Sequence, residues 1–404
     1  MQALLVFLAV AALSMLASSR TVLDPARFPA LAQLAASGLL FLVFGALLGP
    51  GLAGVLTRQD LEALRPVVAL GLGLAGVIVG LNLDPRLLRL LPLPVVGAGA
   101  AHAAIAFLFV AAPFSLPLIL SSSLPPTGAA GAAALLGAAA SLSSGHFAVF
   151  GYRSGRLSRL RGLSIALLTT LDDVVGLGVL ALALALGAAR TAGEGLTLVA
   201  VALVTGLACG ALLAYLTRRT RDPAELAATL LGGVALVSGA AAYLRISALL
   251  AGVACGATLT LMSARTVGQV ARALGRFERP AYLILVFLAG SFLDLRDTVA
   301  WLLVPVFLGL RFLGKLVGGA AAARLAGPRL SLPPKLGYAL IAQGGLAVCL
   351  VLEYLQLVPG RSSQHLFDVA VLGALVNELL AQRAFRALLG EAAHPASPPP
   401  QEAA

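Results

Sequence analysis

Thr169-Thr170-Leu171-Asp172-Asp173-Val174-Val175-Gly176-Leu177-Gly178 lies inside an apolar run from Leu163 to Leu186. The run is long enough to cross a bilayer, so two adjacent carboxylates fall near the middle of a membrane helix. A charge at that depth costs at least a few kcal/mol, and an intramembrane acid is read as functional by default. Neighbours on a helix point about 100° apart. One carboxylate can therefore face a fixed partner while the other faces a water-filled cavity. Partner and cavity must come from the rest of the chain.

The composition agrees with a membrane location. Of 404 residues, 60% are hydrophobic and 11% charged, with a mean hydropathy of +0.99. That balance excludes soluble domains and defines a polytopic α-helical membrane protein. The net charge of +11 does not indicate a nucleic-acid partner, because the basic residues fall in short loops between apolar spans. Cys209, Cys255 and Cys349 are isolated within apolar spans, without metal or disulfide spacing. No cofactor and no enzymatic chemistry are expected.

Hydropathy and breakers predict thirteen spans, at 3–18, 34–48, 66–81, 94–112, 127–150, 163–188, 196–216, 226–243, 247–262, 281–293, 299–325, 335–356 and 365–389. The first resembles a signal peptide at Leu16-Ala17-Ser18-Ser19 but lacks a basic leading region, so a retained helix is expected. With the N-terminus outside, twenty Lys and Arg fall on inner segments and six on outer ones. Arg311 and Lys315, inside the eleventh span, complete the 28. This is a strong positive-inside bias, and an even number of spans would scramble it.

Thirteen divides as six, one and six, and the odd middle span makes the second six enter from the opposite side. An inverted repeat is therefore expected. Leu47-Leu48-Gly49-Pro50-Gly51-Leu52-Ala53-Gly54 and Leu249-Leu250-Ala251-Gly252-Val253-Ala254-Cys255-Gly256 open alike, early in each half. The fifth span carries Ser141-Leu142-Ser143-Ser144-Gly145-His146, and the twelfth Ala342-Gln343-Gly344-Gly345. Small, polar and glycine residues in mid-span mark unwound backbone, which is tolerated where it lines a cavity or is buried in protein. Paired broken helices at a repeat interface point to an ion site, with Ser143, Ser144, Gln343 and Gly344 lining its cavity. The Pro/Ala-rich 390–404 tail reads as disordered.

Asp173 lies ten residues past Leu163, and Lys315 ten before Leu325, each roughly 15 Å from the inner face. A lysine and two carboxylates thus share a depth, where an acid–lysine pair is the natural arrangement. Arg311, one turn before Lys315, reads as a cavity or packing residue. His102 and His146 read as packed or pore-lining groups rather than ligands. Asn82 and Asp84 close the third span. Glu353, Asp368 and Glu378 read as interfacial or packing groups, with Glu378 the one to check.

With these residues in place, the sequence resembles monovalent cation:proton antiporters, the superfamily of bacterial sodium/proton and potassium-efflux exchangers. Four stretches carry the resemblance: Leu48-Gly49-Pro50-Gly51-Leu52, Leu171-Asp172-Asp173-Val174-Val175-Gly176, Arg311-Phe312-Leu313-Gly314-Lys315 and Gln343-Gly344-Gly345-Leu346-Ala347. It implies a core ion-transport domain (94–188 and 299–389), with the broken spans crossing. It also implies a scaffold and dimerisation domain (1–91 and 226–293), joined to the core by a linker helix (196–217). By motif match, Asp173 would bind the cation and the proton, and Asp172 would pair with Lys315. The implied substrates are protons and Na+, K+ or Li+. The implied state is a homodimer in the bilayer of the bacterial inner membrane, N-terminus outside and C-terminus cytoplasmic.

A carboxylate in a narrow cavity holds a proton or a cation, not both. If Asp173 crosses between faces only when occupied, the two fluxes become tied in opposite directions, and two protons per cation make the exchange electrogenic. The rivals are weaker. A channel needs a continuous polar path that this chain lacks. A solute symporter on the same inverted-repeat fold has no need of paired acids beside a lysine. An intramembrane aspartyl protease needs acids on facing helices, whereas Asp172 and Asp173 diverge on one.

Overall fold

The computed structural model describes residues 38–83, 93–120, 126–144, 159–187, 191–220, 222–262, 267–326 and 336–388, with isolated positions between 6 and 13. Most of the predicted first span, Asp84, Gly145, His146 and the 390–404 tail lie outside the described residues. The described part is all-helical. Its helices are α1 (Leu39–Leu48), α2 (Arg58–Ala63), α3 (Arg65–Asn82), α4 (Leu93–Leu120), α5 (Pro126–Ser141), α6 (Arg159–Gly187) and α7 (Ala192–Thr217). They continue with α8 (Pro223–Leu244), α9 (Ala248–Met262), α10 (Val267–Ser291), α11 (Thr298–Ala326), α12 (Leu336–Ala339), α13 (Gly344–Leu357) and α14 (Arg361–Leu388). Among the described residues seven helices are long and apolar enough to cross a membrane, and four more are shorter apolar helices.

Two boundaries differ from hydropathy. α10 starts at Val267 rather than 281, because its first turns are amphipathic. Val270 and Leu274 are buried while Arg272, Arg276 and Arg279 interleave with them, so a hydropathy window averages the stripe away. α4 runs through Pro113 and Pro117 to Leu120, where the sequence reading stopped at 112. Neighbouring helices satisfy the freed backbone that a membrane proline leaves.

Local chemistry sets several helix starts. Thr57 caps α2 in a reciprocal box: its hydroxyl accepts the Asp60 N–H at 3.2 Å, and the Asp60 carboxylate accepts the Thr57 N–H at 2.9 Å. The Thr57 hydroxyl and backbone together hold the exposed Asp60 carboxyl below its usual range. A group depressed in this way stabilises the fold above its unfolded pKa, and the contribution is lost as pH falls through the folded one. Thr191 caps α7 and Asp222 caps α8 by the same hydrogen bond. Arg218, at the end of α7, donates to the Met262 carbonyl at 2.5 Å and so closes the C-terminus of α9.

α1 packs on α10, and α3 packs on α9, α8 and α10. α4 packs on α5, α6 and α11, α14 packs on α11 and α13, and α7 touches α6, α8 and α9. The α3–α9 seam rests on reciprocal glycines. A Cβ on Gly76 or Gly80 would stand 2.3 Å from the carbonyl of Leu249 or Val253. A Cβ on Gly252 or Gly256 would meet the carbonyls of Gly73 and Val77 at 2.3 and 2.2 Å. Small residues four apart allow this backbone contact where lipid provides no hydrophobic drive. Gly80→Leu is expected to drive the two helices apart and to lower the melting temperature in detergent, as overpacking by about 1–3 kcal/mol does. Gly232→Leu, where the added side chain meets open space, is the matched control. Equal melting temperatures would contradict this account of the seam.

Candidate functional site

α5 ends at Ser141, and residues 142–144 continue without helix. α12 ends at Ala339, and helix resumes only at Gly344. The two breaks meet, with the Ser144 N–H donating to the Ala342 carbonyl at 2.8 Å. Gly344 has φ +73°, in the left-handed region where a side chain is strained, and a Cβ there would stand 3.3 Å from the Ser144 Cβ. Glycine at this point lets the chain turn and start α13 against the opposing break.

A helix that stops in the membrane leaves carbonyls without intrahelical partners. Two cations on α11 take them up. Arg311 donates to the Ile341 carbonyl at 2.6 Å and to the Leu142 carbonyl at 2.9 Å, touching both breaks. Lys315, one turn on, donates to the Ser141 carbonyl and to the Ser143 hydroxyl, the latter at 2.6 Å. Both are fully buried. Two like charges on one helix face persist here because each sits at the negative end of a half-helix. Gln343 donates to the Ala139 carbonyl at 2.9 Å and accepts from the Asn377 amide on α14 at 3.0 Å. Ser143 and Ser144 are each 6% exposed and Gln343 is 1% exposed, so these groups are packed at the crossing.

The two adjacent carboxylates on α6 are treated differently. Asp172 is fully buried. One of its oxygens lies 3.0 Å from His102 Nδ1. The other accepts the Ser143 hydroxyl at 2.5 Å and lies 3.5 Å from Lys315 Nζ. Lys315, Ser143 and Asp172 thus form a chain of donors ending on one carboxylate. Asp173, the next residue, is half-buried, and its side chain makes no hydrogen bond or ion pair to any described residue. The arrangement fixes one carboxylate by three partners and leaves its neighbour with no hydrogen bond or ion pair among the described residues.

The other acids have local duties. Glu353 on α13 accepts from the N–H groups of Ala248 at 2.7 Å and Leu249 at 3.3 Å, placing an anion on the N-terminus of α9. Asp368 accepts from the Asp294 N–H and the Gln364 amide, tying the α10–α11 turn to the first turns of α14. Glu378 is half-buried beside Asn377 on α14. Two contacts were not anticipated from sequence: His102 on Asp172, and Asn377 on Gln343. His102 had a usable signal, since it lies nine residues past Leu93, roughly 14 Å along α4 and close to the depth of the acids. Nothing in the sequence pairs Asn377 with Gln343.

Apolar helices broken in two places and crossed beside buried charges are the arrangement in which secondary transporters build their ion sites. Specifically, the chain has the fold of the sodium proton antiporter MjNhaP1 from Methanocaldococcus jannaschii. Its structure at pH 8 superposes with a TM-score of 0.61 and 14% sequence identity, covering 97% of this chain and 100% of that one. An electron-microscopy structure of the same antiporter gives a TM-score of 0.55 and 18% identity, covering 94% and 100%. No protein-family model and no curated protein matches the sequence.

Proposed function

We propose that this protein is a secondary antiporter that exchanges a monovalent cation for protons across a membrane by alternating access. The observation that carries the reading is the asymmetry of the acidic pair: Asp172 is held by His102, Ser143 and Lys315, while Asp173 beside it has no partner among the described residues. An unpaired carboxylate at membrane depth needs a proton or a cation to neutralise it. Asp173 takes one or the other, and the side chain crosses between faces only when occupied. The fold shared with a sodium proton antiporter supports this choice over other transport chemistries. Sodium is the first cation to test, followed by potassium and lithium.

The two-domain reading is also a proposal. α4–α6 and α11–α14 form the moving core, α1, α3 and α8–α10 the scaffold of a homodimer, and α7 the link. The pairing of α1 with α10 and of α3 with α9 supports an inverted repeat of thirteen crossings. An inversion that maps the second span on the ninth and the third on the tenth exchanges these two pairs.

A cation arriving between the acids displaces Lys315 from Asp172. An ammonium left without its counter-charge in a low-dielectric site is costly, so the lysine gives up its proton. Asp173 gives up the other. Two protons for one cation moves net charge, so transport responds to the membrane potential at about 2.3 kcal/mol per charge per 100 mV.

The test is purified protein in liposomes carrying a proton gradient and an internal pH dye. Addition of sodium, potassium or lithium is expected to collapse the gradient with at least one of them. No response to any cation would overturn the proposal. The proposed setting is a bacterial inner membrane with the N-terminus outside. In a cysteine-free background, a cysteine at exposed position 296 is expected to label from outside intact cells, and one at exposed position 219 is not. The reverse pattern would invert the topology.

A further inference from the structure

His102 is a buried titratable side chain at the crossing that the exchange steps above leave unused. It projects from α4 and is fully buried. Its Nδ1 reaches the Asp172 oxygen that neither Ser143 nor Lys315 uses, at 3.0 Å. An ionised carboxylate only accepts hydrogen bonds, so Nδ1 carries the proton and donates. Nε2 is buried without a hydrogen-bond partner among the described residues. A bare lone pair there is less costly than an unpaired N–H, and an imidazolium would bury a charged N–H with nothing to receive it. The ring is therefore a neutral donor in one tautomer. The charged groups that act on it are Asp172 on α6 and Lys315 and Arg311 on α11. α11 also approaches it closely at Gly318, one turn beyond Lys315, where a Cβ would stand 2.9 Å from the His102 carbonyl and 3.2 Å from its Cδ2.

We propose that His102 is a positioning residue that fixes Asp172 as the paired carboxylate and so leaves Asp173 as the exchanging one. This rests on the exchange reading. When the cation displaces Lys315, Asp172 keeps one donor and stays in place. Without His102, Asp172 is free to swing onto Lys315, and the cation must break a tighter pair. A hydrogen bond to a charged group corresponds to about tenfold or more in an equilibrium constant.

The test is cation-driven proton flux in proteoliposomes for the unmutated protein and three variants. His102→Asn keeps an amide nitrogen near the place of Nδ1. His102→Gln moves it toward the place of Nε2. His102→Leu removes it. The cation KM is expected to rise about tenfold in His102→Leu and His102→Gln, with the maximal rate per folded protein largely retained. His102→Asn is expected to stay near the parent KM. If His102→Leu does not fold, the contrast between the Asn and Gln variants still decides, since both keep polar bulk. A parent-like KM in His102→Gln, or the same KM shift in His102→Asn, overturns the proposal. Absence of flux in the unmutated protein overturns the exchange reading instead.

Discussion

Asp173→Asn is expected to fold, to reach the membrane and to show no cation-dependent proton flux. The amide is nearly isosteric with the carboxylate, and the Asp173 side chain makes no hydrogen bond among the described residues, so its replacement breaks no side-chain hydrogen bond between helices. On the proposed exchange, it removes the group that alternates between proton and cation. The melting temperature should stay at or above that of the parent, because an uncompensated buried charge is gone. Asp172→Asn should behave differently. It loses a carboxylate that three donors face, and its melting temperature should fall along with its flux. Flux in proteoliposomes and melting in detergent, read together on both variants, separate a carrier from a structural anion. Flux near the parent rate in Asp173→Asn would remove Asp173 from the mechanism.

Lys315→Gln has the second largest expected effect. Lys315 holds the Ser141 carbonyl, the Ser143 hydroxyl and Asp172 together. Removing one partner of a buried ion pair costs about 3–5 kcal/mol, because the other charge remains. Glutamine keeps an amide donor in reach of the carbonyl and the hydroxyl, so part of that loss is recovered and the variant should fold with a lower melting temperature. On the proposed exchange, the proton that Lys315 contributes is lost with it. Exchange should slow, and the ratio should fall from two protons per cation to one. Reversal potentials under imposed ion gradients read the ratio directly. An unchanged ratio of two in Lys315→Gln would leave the lysine a structural role only. A ratio of one in the unmutated protein would refute electrogenic exchange.

Much of the site was legible because charge in an apolar span is conspicuous. Asp172, Asp173 and Lys315 could be placed at one depth by counting residues from the span ends, and the structure puts Lys315 3.5 Å from Asp172. The breaks could be found because Ser143-Ser144 and Gln343-Gly344 interrupt otherwise aliphatic runs. Which way each group faces was not legible. Adjacent carboxylates look alike to residue counting, so only the motif match assigned Asp172 to Lys315; in the fold the approach of α4, α5 and α11 brings His102, Ser143 and Lys315 to it. His102 and Asn377 were missed as partners for the same reason. A polar residue on a membrane helix has a readable depth, but its azimuth depends on how that helix packs. Arg311 could be read as a packing residue, yet its hold on two freed carbonyls required the crossing itself. The start of α10 was hidden because an amphipathic helix gives no hydropathy peak.

The central claim is that proton and cation compete for Asp173. Its most direct test needs no transport. Purified protein in weakly buffered detergent solution is titrated with sodium, potassium and lithium chloride, with choline chloride as control, while the solution pH is recorded. The unmutated protein should release protons in a saturating manner with the cation it exchanges, and Asp173→Asn should lose the proton that Asp173 carries. Saturable cation binding with no proton release, or identical release from the unmutated protein and Asp173→Asn, would contradict the account.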